Sequence, residues 1–246
     1  MERIADLNDP RYLDEIGWFL YHERYRRAQF GGSYDAERRA YSRLLLSEVA
    51  AYLERDTGWF ADKVVASVGC GCTGDLVSFP AAVKIAIDPL LHVYQRLGML
   101  LDDEAGARTV YLSLRAEDLP LLDGCCDLVL CRNALDHMPD PRAALREMRR
   151  ILRADGALFV SVDIGGEPAP DEPTVFSVES LCALVSEDFI VAKLVDRYPP
   201  HSEQRRCSVR LTARKRSEQS AALDKEAILE AYLARHNQLK PAADRA

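Results

Sequence analysis

Short apolar runs with strand character recur along the middle of the chain, at 63–68 (KVVASV), 83–87 (VKIAI), 109–112 (TVYL), 127–131 (DLVLC) and 157–164 (ALFVSVDI). Segments of helical period separate most of them, 90–101 and 141–152 being the clearest. Asp140 can cap the second of these, Pro141 fits its first turn, and Gly156 follows its end. Alternation of strand and helix predicts a parallel sheet covered by helices on both faces. The stretch between the first two runs contains Pro80 and has room for only a stunted helix around 74–79, because a crossover usually takes about a dozen residues. Beyond Ile164 the sequence GGEPAPDEP carries no helix or strand signal. A helix at 177–186 then precedes two strand-like runs, 189–194 and 207–213, with no helix between them, so that pair is expected to be antiparallel.

Before the first strand, Asp9-Pro10 signals a helix running to about residue 28. Gly31-Gly32 breaks it, and Ser33 can cap a second helix to about residue 55. Aromatics crowd this region: Tyr12, Trp18, Phe19, Tyr21, Tyr25, Phe30, Tyr34 and Tyr41. Trp18, Tyr21 and Tyr25 share a helical face. They suit a lid over an apolar acceptor, and equally a helix docked on the sheet. The expected organisation is a helical cap over 1–56, a central α/β domain over 57–216 and a charged helical tail over 217–246.

The 246 residues, 48% hydrophobic and 29% charged, suit one α/β domain with small additions. A net charge of −7 argues against nucleic acid, since the one basic cluster, Arg210, Arg214, Lys215 and Arg216, falls where a strand should end. No basic-then-apolar leader and no membrane-length apolar run is present, which points to the cytoplasm. The seven cysteines include none at zinc-site spacing with a histidine partner, so no metal is expected.

The first central strand runs into Val68-Gly69-Cys70-Gly71-Cys72-Thr73-Gly74. Glycines there let backbone approach a ligand closely. The second strand ends in Asp88, placed to accept hydrogen bonds from ribose hydroxyls. Arg115-Ala116-Glu117-Asp118-Leu119-Pro120 follows the third strand, and the fourth opens into Arg132-Asn133-Ala134-Leu135-Asp136-His137.

This ordered set, over about residues 64–162, resembles the class I methyltransferases that use S-adenosylmethionine (SAM), in particular the UbiE-like, type 11 domain. The resemblance implies a Rossmann-like, doubly wound sheet of seven strands, the last antiparallel, with an N-terminal helical cap. It implies methyl transfer from SAM to O, N or C of a small-molecule acceptor. Gly69, Cys70 and Gly71 would wrap the methionine part, with Thr73 and Gly74 completing the turn. Asp88 would hold the ribose. Pro89, Leu90, Ala116 and Glu117 would border the adenine, and Asn133 would face the sulfonium. Three positions depart from the family pattern. Ser67 stands where an acid is usual, Thr73 where a glycine is common, and Arg115 where an aspartate often contacts adenine.

In-line methyl transfer needs mainly alignment, and a hydroxyl acceptor also needs a base. His137 is the candidate base, with loop shaping or a bond to Asp136 as the alternative. His201, in the loop before the last strand, is a weaker candidate base and His22, on the first helix, a still weaker one; Tyr21, Tyr25 and His201 are the candidate acceptor contacts. A homodimer is allowed, and neither nucleic acid nor membrane is expected as a partner. The departures in the glycine turn leave room for a non-catalytic protein of this fold. The G-x-G-x-x-G spacing alone would also admit a nicotinamide-dependent oxidoreductase.

Overall fold

The computed structural model describes residues 9–30, 34–197 and 207–215. The charged tail expected at 217–246 and the loop holding His201 lie outside the described residues. Seven strands form one sheet: β1 (Val64–Val68), β2 (Val83–Ile87), β3 (Thr109–Leu112), β4 (Cys126–Arg132), β5 (Leu152–Ile164), β6 (Phe189–Arg197) and β7 (Cys207–Lys215). Their spatial order is β3-β2-β1-β4-β5-β7-β6. β1 pairs in parallel with β2 and β4, and β4 with β5. β7 runs antiparallel between β5 and β6. That inserted strand separates the sheet from the 3-2-1-4-5-6 order of dinucleotide-binding domains.

The helices are α1 (Pro10–Phe30), α2 (Tyr34–Leu53), α3 (Leu91–Arg96), α4 (Pro141–Ile151) and α5 (Val178–Ser186). Asp140 caps α4 by accepting from the Ala143 N–H, with Pro141 in the first turn. Ser177 and Ser180 cap α5 reciprocally. Two expectations need correction. Residues 74–79 form turns with no helix, and Glu104 and Ala105 donate back to the Val77 carbonyl to fasten them. β5 begins directly at Leu152, so Gly156 lies inside it: Leu152 pairs with Cys126 and Ala157 with Leu128, and residues 153–156 bulge out of β5 between those pairs.

The central strands are buried on both faces. Val65, Ala66, Val68, Leu128, Val129, Leu130, Cys131, Leu158, Phe159 and Val160 are shut from solvent, as a doubly covered parallel sheet requires. One face packs on α4 and α5 through Leu145, Met148 and Leu181. The other packs on α2 through Leu45, Val49 and Tyr52, with Tyr52 edge-on to Phe159. The ends of β1, β2 and β4 therefore open together at one edge of a rigid core. No described helix is long and apolar enough to cross a membrane.

Candidate functional site

A cavity of about 380 Å³ lies over those strand ends. Its floor is the turn after β1. Gly69 and Gly71 have left-handed backbones, φ 68° and 54°, a region in which side chains are strained. A Cβ at Gly69 would stand 2.3 Å from Ala134 Cβ, and one at Gly71 would stand 2.7 Å from Phe19 Cζ. The turn is thus wedged between the chain leaving β4 and helix α1, and only glycine fits. Asp88, at the end of β2, fixes the turn: Oδ2 accepts the Gly71 N–H at 3.0 Å and Oδ1 the Leu90 N–H at 2.8 Å. Burial raises its pKa, while the two backbone donors and the His137 charge pull it down. Each oxygen keeps a second lone pair for a ligand hydroxyl. Pro89, Leu90, Leu114, Ala116 and Glu117 continue the wall, with Arg115 paired to Glu117 at 3.4 Å.

Asp75 is a cavity residue that the sequence reading passed over. It is buried, and its carboxylate accepts from Ser67 Oγ at 3.2 Å, Thr73 Oγ1 at 2.6 Å and Arg132 at 2.9 Å. An acid therefore stands beside Ser67 after all, supplied from eight residues further along. The missing acid at Ser67 was the sequence signal that a carboxylate had to come from elsewhere. Asn133 turns the chain out of β4 with a left-handed φ of 42° and an Oδ1 that accepts from Ser161 Oγ at 3.0 Å. Asparagine is among the few residues that adopt this backbone readily.

The opposite wall comes from α1 and from the loop between β5 and α5. Tyr12, Glu15, Trp18 and Phe19 line it from the helix, and Asp163, Asp171 and Glu172 from the loop. His137 sits between them. Its Nδ1 is 3.4 Å from Glu15 Oε2, and its Nε2 is 4.0 Å from Asp136 Oδ1, too far for the hydrogen bond to Asp136 that was the alternative to a base role. Burial, chiefly, raises the Glu15 carboxyl to about 7; Asp88, Asp171 and Asp136 add to it and His137 opposes it. Burial likewise lifts Asp136 to about 6 against the His137 charge.

Of the residues singled out from the sequence, Gly69, Cys70, Gly71, Thr73, Asp88, Pro89, Leu90, Ala116, Glu117, Asn133 and His137 all line this one cavity. Gly74 lies just behind the turn, packed on Leu101. Tyr21 and Tyr25 do not line it; they are exposed and stacked on each other, ring centroids 6.3 Å apart. At about 100° per residue they fall roughly half a turn around α1 from Tyr12 and Phe19. The helix is oriented by Phe19, which is buried edge-on against Tyr94, so the aromatics of α1 serve both docking and lining. His201 and the side chain of His22 lie outside the described residues.

Residues 66–160 match the family model of a methyltransferase domain. Among curated proteins, the chain is 28% identical over 117 residues to the uncharacterized methyltransferase YcgJ of Bacillus subtilis (strain 168), covering 47% of this chain and 45% of that protein. It is 33% identical over 128 residues to the ubiquinone biosynthesis O-methyltransferase of Xanthomonas euvesicatoria pv. vesicatoria (strain 85-10), covering 49% and 51%. The chain thus spans about half the length of the curated relatives it matches. Among solved structures, it resembles Burkholderia thailandensis 1,6-didemethyltoxoflavin-N1-methyltransferase with a TM-score of 0.54 at 20% identity, over 88% of this chain and 93% of that one. The [4+2]-cyclase SpnF gives a TM-score of 0.54 at 20% identity, over 71% and 80%. At these identities the likeness concerns the fold alone.

Proposed function

Since residues 66–160 of this chain belong to a methyltransferase domain family, we propose that the protein is a SAM-dependent methyltransferase acting on a small molecule. The observation that carries this reading is the Gly69–Gly71 turn, clasped by Asp88 and packed so closely on Ala134 and Phe19 that only glycine fits, at the floor of the cavity. When bound, SAM supplies a methyl group on a positively charged sulfur, open to in-line displacement. The backbone of Gly69, Cys70 and Gly71 follows the methionine portion, and Asp75 offers a carboxylate at that end. Asp88 accepts from the ribose hydroxyls with its remaining lone pairs, and Pro89, Leu90 and Ala116 flank the adenine. Helix α1 closes over the site and excludes water. His137 takes a proton from the acceptor where one must be lost. Cys70, Cys72, Cys125, Cys126, Cys131 and Cys182 are free thiols, in keeping with a reducing cytoplasm.

S-adenosylhomocysteine (SAH) should raise the melting temperature of the full chain, since a ligand of the folded state adds RT ln(1 + [L]/Kd) of stability. No shift at about millimolar SAH would count against the proposal. A second reading, a binding protein of this fold without methyl transfer, is motivated by the departures in the glycine motif at Ser67 and Thr73. It predicts the same shift with no methylated product from any acceptor.

A further inference from the structure

Arg132 ends β4 and lines the cavity, with its side chain 12% exposed. Its Nη1 donates to Asp75 Oδ1 at 2.9 Å, and its guanidinium lies over the Tyr41 ring, 4.7 Å from the centroid. Among the described residues Asp75 is the one acceptor it meets. A guanidinium presents five N–H donors in a planar fork, so most of the fork is left for something in the cavity. Asp75 is 4% exposed and lines the same cavity. Its Oδ1 accepts from Thr73 Oγ1 and Arg132, while its Oδ2 accepts from Ser67 Oγ alone among the described residues. That oxygen keeps a lone pair. Ser67 and Thr73, two departures from the family pattern, therefore act together to hold one acid beside one arginine. The other arginine of the wall, Arg115, follows β3 and is paired with Glu117. In the sheet, β3 and β4 are separated by β2 and β1. Three strand spacings of about 4.8 Å put the two arginines at opposite ends of the cavity.

We propose that Asp75 and Arg132 form a receptor for an amino-acid zwitterion, with the α-ammonium on Asp75 Oδ2 and the α-carboxylate on the open edge of Arg132. The pair then selects a donor that carries its complete amino-acid end. The inference rests on the SAM reading above and deepens it by assigning the two charges of the methionine portion to two side chains. An amino acid bears both charges on substituents of a single carbon. Laid antiparallel to an ion pair closed at 2.9 Å, it brings each charge against its opposite, and the hydrogen bonds formed are charge-assisted. Position supports the same assignment. Asp75 directly follows the turn from Gly69 to Gly74, and Arg132 directly precedes Asn133. Both therefore stand at the β1–β4 side of the cavity, across from Pro89, Leu90 and Ala116. Acids from elsewhere line the same space, Glu15, Asp163 and Asp171 among them, and they repel a carboxylate that has no cation to meet it. Arg132 is placed to be that cation.

The test is a calorimetric titration of the full chain with three adenosyl thioethers. These are SAH, its decarboxylated analogue, which keeps the amine, and 5′-methylthioadenosine, which has neither charge. SAH should bind at least about tenfold more tightly than the decarboxylated analogue, and that analogue about tenfold more tightly than 5′-methylthioadenosine. Arg132→Met should bring SAH down to the level of the decarboxylated analogue. Asp75→Asn should bring the decarboxylated analogue down to the level of 5′-methylthioadenosine. In both variants 5′-methylthioadenosine should stay within about threefold of its wild-type affinity, and Arg132→Lys, which keeps the charge and loses the fork, should recover part of the SAH preference. A loss shared equally by all three ligands would mean that the pair serves only to hold the glycine turn, and would overturn the proposal. Equal binding of SAH and the decarboxylated analogue to the wild type would overturn it too, and that comparison stands even if circular dichroism shows the variants unfolded. Tight 5′-methylthioadenosine binding with no gain from the amino-acid end would leave the adenosyl reading in place and remove this inference alone. Failure of all three to bind at about millimolar concentration would remove both.

Discussion

The two ends of the cavity are built on opposite plans. At the end formed by β1 and β2, acids are matched within the chain: Asp88 by two backbone N–H groups, and Asp75 by Ser67, Thr73 and Arg132. At the end formed by α1 and the β5–α5 loop, Asp136 Oδ1 and His137 Nδ1 are buried without a hydrogen bond. Each such group costs roughly 1–3 kcal/mol. The first arrangement is a rigid mould for one ligand, with its shape set by backbone. The second keeps charge in place at a cost in stability, as expected where side chains are arranged to act on something outside the chain.

The largest effect should come from the imidazole that joins the two ends. His137→Gln should slow turnover by about 10²–10⁴ if a proton must be removed, with SAH affinity nearly unchanged. A variant keeping more than about a third of the activity would assign His137 to shaping its loop, and leave the enzyme working by alignment.

Asp88→Ala breaks the first plan. It removes the clasp on Gly71 and, on the proposed reading, the ribose acceptor, and should weaken SAH by roughly 1–3 kcal/mol, the scale of a charge-assisted hydrogen bond. Circular dichroism should show the sheet intact. Unchanged affinity would reduce Asp88 to a turn residue.

Glu15→Gln sharpens the contrast through pH. Burial, with Asp88, Asp171 and Asp136 reinforcing it and His137 opposing, lifts the folded carboxyl from its usual 4.5 to about 7. The folded chain then holds this proton more tightly than the unfolded chain, so stability falls as pH rises between those values. The variant loses that penalty. It should melt higher than the parent at pH 8, by roughly 1–3 kcal/mol of stability, and show no gain near pH 4.5. Parallel melting curves across that range would mean that Glu15 is solvated.

The end of the cavity formed by β1 and β2 was legible in the sequence because each strand delivers its candidate residue at its own C-terminal end. A glycine turn, an acid and an asparagine follow one another along the chain, and a parallel sheet brings such ends together. The end formed by α1 and the β5–α5 loop was not. Nothing local links Glu15 to His137, and their contact depends on how α1 docks. Trp18, Tyr21 and Tyr25 form a face in sequence, yet Phe19, seated on Tyr94 and against Gly71, decides which residues turn inward. Asp171 lies in a stretch with no secondary-structure signal, and its place depends on loop contacts such as the Thr174 N–H donating to the Asp136 carbonyl. Asp75 could have been suspected only from the absence of an acid at Ser67.

That the glycine turn and Asp88 form a mould for the adenosyl donor is the central claim, and paired titrations of SAH and NADH into the wild-type chain test it most directly. Saturable SAH binding with one site per chain, and no heat or competition from NADH, is the predicted result. NADH binding at the same site, or no SAH binding at about millimolar concentration, would contradict it.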